Sequence, residues 1–522
     1  MVHLKFKIER KCFMNNLDGI KVMLINMPLR ENALPNNLPL GPALLAARLR
    51  QHGANPIFVD LNVYRIKDEL AKSKGLENGR HLTLEETKDL LEKYLIQYGD
   101  QDVIGLSGLI TTLRWQENIA KIIKELQPNT FLVSGNGLAT EFGIILFDWI
   151  PELDAVALAE GDDIILEIAH DAKTNQRKRI YQGHPVLNLD ELPLPAYDLL
   201  EQDPNGFQIL DFYLKNPIWG DKAINSSATP FTMERSINTV SSRGCPFSCK
   251  FCFRGQQGGK NYRARSAENL AKEAKFYLKE YQLDFIGYSD DNFMISPKRI
   301  AELTSLMRPL KIRWGTHGRL DEANEDERVY LMAEAGCVYI GLGGESASST
   351  VLRNMNKGGR ILAQGEIMIN GYLFPRTMVQ GIQKTIKAGV HPNCTWIMGW
   401  PGETLKDLQT TVAFIKWQEE NYPQGAVNKS IFTATAYPGT DLFLDPVVRQ
   451  KLKDSFGIKF DTNNNPICDQ NMRKYVLELD DATKVLLDQT GKPLNFSAMP
   501  DELFLQAKKH IAEGETLKIL DL

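Results

Sequence analysis

Three cysteines stand close enough in the sequence to share one inorganic centre. Cys245, Cys249 and Cys252 lie in the run SRGCPFSCKFCF at 242–253, with C-x3-C-x2-C spacing. Three thiolates on one short loop can bind three irons of a [4Fe–4S] cluster and leave the fourth iron without a protein ligand. Zinc is the alternative, but it usually takes four ligands, and no fourth Cys or His lies within twenty residues of Cys252. The spacing therefore favours a cluster whose open iron can accept a chelating substrate.

The spacing, with Phe251 directly before the third cysteine, resembles the motif of the radical S-adenosylmethionine (SAM) enzymes. The resemblance implies that the amine and carboxylate of SAM chelate the open iron. An electron from the cluster then cleaves SAM to a 5′-deoxyadenosyl radical. It also implies that Phe251 packs beside SAM and shields the cluster.

Three residues further along match strand-end motifs of the same family. Arg319 is expected to pair with the SAM carboxylate in a bidentate manner. Glu345, in the run GGES at 343–346, is expected to bind the ribose hydroxyls or the ammonium group of SAM, and Ser346 adds a hydroxyl. The run GWPGET at 399–404 resembles the turn whose glycines let the backbone approach adenine. The acidic run 290–292 either orients SAM or substrate or caps the next helix.

The residues around these motifs predict a catalytic domain over 236–445. Short apolar strands alternate with helices, and the strands are expected at 237–242, 284–289, 312–316, 338–342, 393–398 and 429–435. Six β/α units suit the open partial barrel of radical SAM enzymes, with chemistry at the carboxyl ends of the strands. An insertion at 359–378 lines the substrate pocket or faces solvent. Residues 446–522 are a C-terminal extension with a helix near 500–513.

A separate α/β domain is predicted over 18–170. Strands are expected at 20–26, 56–60, 103–107, 130–134 and 155–159, with helices at 40–51 and 115–126 and a polar helical insertion at 65–98. Strands alternating with helices predict a doubly wound, Rossmann-like parallel sheet. Residues 171–235, with two prolines near 193–195, are expected to be a linker.

Small or polar residues follow successive strands of this first domain, where such sheets bind ligands. The candidates are Ser107, Thr111, Ser134, Gly135, Gly137, Glu160 and Gly161. These loops resemble the cobalamin-binding domain that precedes the radical SAM barrel in one large subfamily. The usual double glycine is interrupted by Asn136, and the Asp-x-His-x-x-Gly motif of other cobalamin proteins is absent. The alternative is a Rossmann-like domain that only packs or binds substrate.

Composition narrows the possible partners and compartment. The chain has 522 residues, 43% hydrophobic, with a net charge of −4, so no broad basic surface for nucleic acid is expected. No apolar run reaches the roughly 18 residues that a membrane span needs, and the N-terminus lacks a signal-peptide core. Seven cysteines do not form a disulfide framework. A cytoplasmic protein is predicted.

The resemblance implies a cobalamin-dependent radical SAM enzyme, most simply a methyltransferase acting on an unactivated carbon of a small molecule or natural product. It also implies an electron donor such as flavodoxin or ferredoxin. A non-methylating oxidative cyclase, rearrangement enzyme or epimerase is the alternative within the fold. An iron–sulfur sensor without turnover is the alternative of another class. A methylthiotransferase is disfavoured, because only Cys12 precedes Cys245 and a second cysteine triplet is missing.

Overall fold

The chain divides into two units in a computed structural model. The first contains the residues up to Tyr213 and a short stretch from Met472. The second contains most of the chain from Leu214 to Asn471 and the C-terminal end. The structure describes residues 16–29, 37–64, 81–216, 231–253, 255, 261–422, 427–479, 485–488 and 490–522. None of the helices in these residues is long and apolar enough to cross a membrane.

Six parallel strands form the sheet of the first unit, in the order β2-β1-β3-β4-β5-β6. They are β1 (Lys21–Asn26), β2 (Asn55–Asp60), β3 (Val103–Ser107), β4 (Phe131–Gly135), β5 (Ala155–Leu158) and β6 (Ile180–Gln182). Asn26 pairs with Asp60 and Ser107, and Ser107 pairs with Gly135, so these strands end at one edge. The strand order reverses between β1 and β3, which is where open α/β sheets bind ligands. The predicted parallel sheet is confirmed.

Helices pack on this sheet because each presents an apolar stripe. They are α1 (Leu40–Gln51), α2 (Leu84–Tyr98), α3 (Leu113–Leu126), α4 (Asn136–Phe142), α5 (Leu146–Trp149), α6 (Ile164–Thr174) and α7 (Ile209–Lys215). In α3, for example, Leu113, Ile119 and Ile123 are buried. Only the second half of the helix predicted at 65–98 is seen, as α2. Residues 65–80 lie outside the described residues.

Strand β6 and helix α7 lie among the described residues of the interval that the sequence suggests is a linker, 171–235. Strand β6 pairs in parallel with β5, and α7 begins at Ile209. Tyr213 in α7 donates a 2.6 Å hydrogen bond to Asp60 at the end of β2. These contacts join the interval to the first sheet as far as Tyr213. The two elements have only three and seven residues, which is too short for a clear periodicity in the sequence.

Six parallel strands also form the main sheet of the second unit, in the order β16-β15-β12-β11-β10-β7. They are β7 (Ser236–Thr239), β10 (Phe285–Tyr288), β11 (Arg313–Arg319), β12 (Cys337–Glu345), β15 (His391–Met398) and β16 (Ile431–Thr433). Two small antiparallel pairs complete the strands: β8 (Ser242–Arg243) with β9 (Arg263–Ala264), and β13 (Glu366–Ile369) with β14 (Tyr372–Pro375). The predicted open partial barrel of six β/α units is confirmed.

Helices connect these strands and continue into the C-terminal segment. They are α8 (Ala267–Tyr281), α9 (Pro297–Met307), α10 (Leu320–Asn324), α11 (Arg328–Glu334), α12 (Ser349–Asn354), α13 (Gly358–Ile361), α14 (Arg376–Lys387), α15 (Leu405–Asn421), α16 (Pro446–Phe456) and α18 (Asp501–Ala512), whereas α17 (Gln470–Leu477) belongs mostly to the first unit. Ser266 caps α8 by accepting from Asn269 N at 3.1 Å, as its sequence position predicts. The predicted terminal helix is α18.

The strands of the second unit differ in length from those predicted. The strand expected at 237–242 ends at Thr239, because Asp290 draws Ser241 and Ser242 out of the ladder. β11 and β12 are longer than expected and end with Arg319 and Glu345 themselves. The insertion at 359–378 contains the hairpin β13–β14, whose two-residue turn is Asn370–Gly371, the dipeptide that such hairpins favour.

Candidate functional site

The cysteine loop begins where the backbone leaves β7, and Asp290 holds this starting point. Its carboxylate accepts hydrogen bonds from Ser241 N at 2.6 Å and from the hydroxyls of Ser241 and Ser242 at 2.5 Å each. Arg299 in α9 donates to the hydroxyl and carbonyl of Ser241. Asp291 accepts from Gly244 N. Asp290 and Asp291 thus position the cysteine loop, which is neither of the two roles predicted for residues 290–292. Asn292 caps the following turn through Met294 N, and orientation of SAM or substrate stays a prediction.

The three cysteines lie along this loop in different degrees of exposure. Cys249 is buried, Cys245 is half-buried and Cys252 is exposed. Burial raises the pKa of the Cys245 thiol, and the charge of a Cys249 thiolate raises it further. Thiolates that repel one another in this way are stabilised by a bound cation, which suits an iron centre.

The three sulfurs are not arranged around a single ion. All three cysteines are among the described residues, and their sulfurs do not all lie within 4.8 Å of one another. Two thiolates on one zinc ion, with Zn–S bonds of about 2.3 Å, can be at most about 4.6 Å apart. At least one pair of sulfurs is therefore farther apart than a zinc ion bound to all three thiolates would hold it.

Arg319, at the end of β11, contacts two residues of the cysteine loop. Its Nη1 lies 3.7 Å from Cys249 Sγ, and its guanidinium lies 4.0 Å from the ring centre of Phe247. Asp321 accepts from Nε at 2.9 Å and from Nη2 at 3.3 Å. Nη2 also donates to the carbonyl of Lys357 at 3.4 Å. The Nε and Nη2 edge of the guanidinium is therefore engaged within the chain, and pairing of Arg319 with the SAM carboxylate stays a prediction.

Glu345 forms a buried ion pair that the sequence did not predict. Lys357 Nζ lies 2.7 Å from Glu345 Oε1, and Thr395 donates to Oε2 at 3.5 Å. A bulge in the ladder between β12 and β15 separates Gly343 from Glu345, and the backbone of Glu345 is left-handed with φ +61°. Left-handed backbone at a non-glycine residue is uncommon and clusters at functional sites. Glu345 remains the candidate for SAM recognition.

Ser346 has a different environment from its neighbour. Its hydroxyl lies 3.1 Å from Thr411 Oγ1 on α15 and accepts from Ser348 N at 3.1 Å. Both contacts are buried, and they hold the start of α12 against α15. A hydroxyl contact from Ser346 to SAM stays a prediction, with intramolecular partners already in place.

The turn 399–404 packs against the cysteine loop and the C-terminal segment. Trp400 contacts the ring of Phe251 edge-on, with centroids 6.2 Å apart, and Lys357 Nζ lies 5.8 Å from the centre of that same ring. A Cβ at Gly399, where φ is +83°, would come 2.9 Å from Phe504 of α18. Phe251 thus lies between Lys357 and the turn, and its packing beside SAM stays a prediction.

The side chain of Glu403 stabilises this turn by binding its backbone N–H groups. The side chain is fully buried, and Oε2 accepts from Gly399 N at 2.5 Å and from Trp400 N at 3.3 Å. Burial raises the pKa of Glu403 to about 8, so the acid is protonated near neutral pH. The sequence contained Glu403 within the quoted motif but no signal of this role. Nothing in the sequence indicated the contacts of Asp321 and Lys357, which are seen only in the folded structure.

Glycines on the barrel strands allow neighbouring rings to pack closely. Gly315 is the register partner of both Gly287 and Tyr339, and a Cβ on it would come 3.0 Å from Phe285. One layer higher, Gly341 pairs with His317 and Asn393, and a Cβ on it would come 2.5 Å from His317. Burial lowers the pKa of His317, so its imidazole is neutral at pH 7.

The carboxyl edge of the first sheet has strained backbone at two strand ends. Asn136, directly after β4, has φ +72°, and Ala159, directly after β5, has φ +64°. Asn136 donates to the Ser107 hydroxyl at 3.1 Å and accepts from Gly137 N at 2.7 Å. Residues 134–137 do not form a separate loop, because β4 ends at Gly135 and α4 begins at Asn136. Non-glycine residues held in this way are typical of ligand sites.

The remaining candidates of this edge differ in availability. Ser107, Thr111 and Gly135 are half-buried. Ser134 is fully buried and donates to Gln116 at 2.6 Å, while Glu160 accepts from Val186 N at 3.0 Å. A Cβ on Gly161 would contact Leu45 of α1 at 3.2 Å, which indicates a packing requirement. Contacts from any of these residues to a cofactor stay predictions, and Ser134 and Glu160 already have partners within the chain.

The barrel region matches a known protein family. Residues 239–415 match the Radical SAM superfamily. This match covers the cysteine loop, the ends of β11 and β12 and the turn at 399–404. The domain implies a [4Fe–4S] cluster and SAM as cofactors.

Curated relatives extend the similarity beyond the barrel. An uncharacterised methyltransferase of Pyrococcus horikoshii is 26% identical over 479 residues, which are 87% of this chain and 86% of that protein. The anaerobic magnesium-protoporphyrin IX monomethyl ester cyclase of Cereibacter sphaeroides is 24% identical over 363 residues. That match covers 68% of this chain but only 53% of the cyclase.

Solved structures show the same fold. The cobalamin-dependent SAM radical enzyme OxsB, with aqua-cobalamin and SAM bound, aligns with a TM-score of 0.57 and 17% identity over 95% of this chain and 62% of that chain. The radical SAM methyltransferase TsrM of Kitasatospora setae, with tryptophan and a SAM analogue bound, aligns with a TM-score of 0.61 and 15% identity. That alignment covers 96% of this chain and 89% of TsrM. At these identities the likeness shows the fold alone.

Proposed function

We propose that this chain, a radical SAM enzyme, is cobalamin-dependent and methylates an unactivated carbon of a small molecule. The observation that carries the proposal is the edge of the first sheet, where strained backbone at Asn136 and Ala159 and the half-buried Ser107 lie at one set of strand ends. The methyltransferase name of the Pyrococcus relative and the cobalamin in OxsB support the same assignment.

The cofactors would divide the chemistry between them: the cluster and SAM supply one-electron cleavage of SAM, and cobalamin supplies a transferable methyl group. The chain's own residues hold the cofactors in place and shield them from water. Cys245, Cys249 and Cys252 would each ligate one iron. Glu345 presents a carboxylate for SAM, fixed by Lys357.

Other residues exclude water and receive the substrate. Phe251 and Trp400 form an aromatic wall beside the cysteine loop. His317, near the carboxyl end of β11, would contact the substrate from the barrel. A neutral imidazole there can donate or accept a hydrogen bond, but it does not add a charge, which favours a substrate with hydroxyl or amide groups.

In a second candidate function, the same barrel performs an oxidative cyclisation, rearrangement or epimerisation without methyl transfer. The similarity to the Cereibacter cyclase over 68% of this chain favours it. An iron–sulfur sensor without turnover is supported less, because a sensor needs neither the turn at 399–404 nor the buried Glu345–Lys357 pair. In either enzyme, an external donor such as ferredoxin or flavodoxin would supply the electron.

Anaerobic incubation with SAM labelled in its methyl group tests the proposal. The protein is produced in cells supplied with cobalamin, its cluster is reconstituted, and candidate small molecules are added with a reductant. Formation of 5′-deoxyadenosine together with label in a product supports methyl transfer. Deoxyadenosine and an altered product without label would support the second candidate. Neither compound under any condition would support the sensor.

A further inference from the structure

We infer that Arg319 and Asp321 together set the reduction potential of the cluster that Cys249 ligates. The inference rests on the cluster of the proposed function but assigns Arg319 a role other than SAM recognition. Its basis is the contact between the Arg319 guanidinium and Cys249 Sγ and the counter-charge that Asp321 places on the opposite side of the same guanidinium.

The guanidinium is held rigidly against the cysteine loop. Only 7% of the Arg319 surface is exposed, and the cation stacks on Phe247, which lies between the first two cysteines. Nη1 approaches the Cys249 sulfur at 3.7 Å. Two contacts with one short loop fix the direction of the N–H group, so the donor faces the sulfur without an additional ordering cost.

Asp321 partly neutralises the positive charge that Arg319 places beside the cysteine loop. It accepts two hydrogen bonds from the other edge of the guanidinium, and its own side chain is 1% exposed. The carbonyl of Lys357 takes a further N–H. Since these groups use Nε and Nη2, only Nη1 is directed at the cluster loop. The arrangement suits partial compensation of charge at a sulfur better than bidentate binding of a carboxylate.

The effect on the potential follows from charge. One-electron reduction makes the cluster and its thiolates more negative, and hydrogen bonds to the sulfurs are among the determinants of cluster potential. A buried cation beside a ligand sulfur stabilises the reduced state more than the oxidised state and raises the potential. A buried anion beside that cation lowers it. The two residues therefore act with opposite signs.

The test is a redox titration of the reconstituted full-length protein, monitored by the electron paramagnetic resonance signal of the reduced cluster. Arg319→Met removes the charge with similar bulk, Arg319→Lys keeps the charge but loses the fork, and Asp321→Asn removes the counter-charge. We expect the midpoint potential of Arg319→Met to shift to more negative values, that of Asp321→Asn to shift to more positive values, and that of Arg319→Lys to lie between Arg319→Met and the parent. Iron content and SAM affinity are measured in parallel.

Opposite shifts with iron content near that of the parent support the inference. Unchanged potentials overturn it, and so do shifts of both variants in the same direction, which would report only a disturbed loop. A loss of roughly tenfold or more in SAM affinity of Arg319→Met at an unchanged potential would return Arg319 to the SAM carboxylate. If Arg319→Met assembles no cluster, Asp321→Asn decides alone: a positive shift supports the inference and no shift overturns it. A parent protein that binds no cluster would instead refute the proposed function.

Discussion

Lys357 Nζ lies 2.7 Å from Glu345 Oε1, and the two side chains are only 5% and 10% exposed. Glu345 ends β12 in a left-handed conformation, so its side chain leaves the sheet in a direction that a regular strand would not allow. A carboxylate buried without a partner would be strongly unfavourable. The lysine therefore supplies a counter-charge to Glu345 and orients its carboxylate at the carboxyl end of the barrel, where the second oxygen lies 3.5 Å from Thr395.

The ion pair predicts unequal effects of its two single substitutions. Lys357→Met should destabilise the protein by about 3–5 kcal/mol, because it leaves a buried charge uncompensated. Adding Glu345→Gln should recover part of that loss. Glu345→Gln alone should weaken SAM binding by roughly ten- to a hundredfold, as the loss of a charged hydrogen bond would. Thermal unfolding and SAM titration measure these effects. Equal stability of the Lys357→Met single and double variants would show that the charges do not interact.

The cluster should depend on three cysteines and no others. Replacing Cys245, Cys249 or Cys252 with Ala should abolish the visible absorbance of the reconstituted cluster, because each thiolate binds a separate iron. Cys337 and Cys394 are buried in strands, where burial raises the pKa of both thiols, and their replacement by Ala is the matched control. A single-site variant of the triplet with full iron content would disprove the assignment of that cysteine.

Gly399 and Phe504 bring the turn at 399–404 into contact with the C-terminal helix α18. Gly399→Ala should be destabilising, because a left-handed alanine costs about 1–2 kcal/mol and its Cβ would strike Phe504 at 2.9 Å. Phe504→Ala should cost about 3–5 kcal/mol, because it leaves a cavity. The double variant should lose less than the sum of the two, since the clash is relieved. Strict additivity in unfolding measurements would mean that the two residues do not press on each other.

Glu403 predicts a pH dependence of stability. Burial raises its pKa to about 8 from an ordinary value of 4.5, so the folded state holds a proton that the unfolded state releases. Its stabilising contribution is complete below the unfolded pKa and declines as the pH rises to about 8, by about 1.4 kcal/mol per unit. Glu403→Gln should flatten the decline of the unfolding midpoint between pH 5 and 8. Parallel profiles for parent and variant would contradict a raised pKa.

The edge of the first sheet predicts where cobalamin binding can be blocked. Ser107→Trp and Gly135→Trp should reduce the cobalt content of protein made in cells supplied with cobalamin, because the indole would fill the volume above the strand ends. Leu187→Trp, at a side chain that is 82% exposed, is the control and should retain cobalt. Iron content should stay unchanged in all three. Full cobalt in both edge variants, or no cobalt in the parent, would remove the cobalamin assignment.

Local patterns were sufficient for the order of the elements. Five strands of the first sheet and six of the second could be predicted, because most of them contain a short apolar run between polar segments. The limits of β7, β11 and β12 could not, because a strand's length depends on its neighbours. Asp290 ends β7 early from a position 49 residues away in the sequence. The short β6 was missed because only the rest of the sheet stabilises three residues as a strand.

The amino-acid sequence by itself determined the chemistry that the chain can support. The cysteine spacing, the strand-end motifs and the small residues after β3 and β4 are local features, and local spacing limits which ligands a loop can hold. Only the tertiary structure decided which charges meet. Arg319 faces Cys249 and Asp321, and Glu345 faces Lys357, because β11, β12 and the cysteine loop end at the same edge of one parallel sheet. Charge interactions depend on distance and burial in space, and neither quantity is encoded in the spacing of residues along the chain.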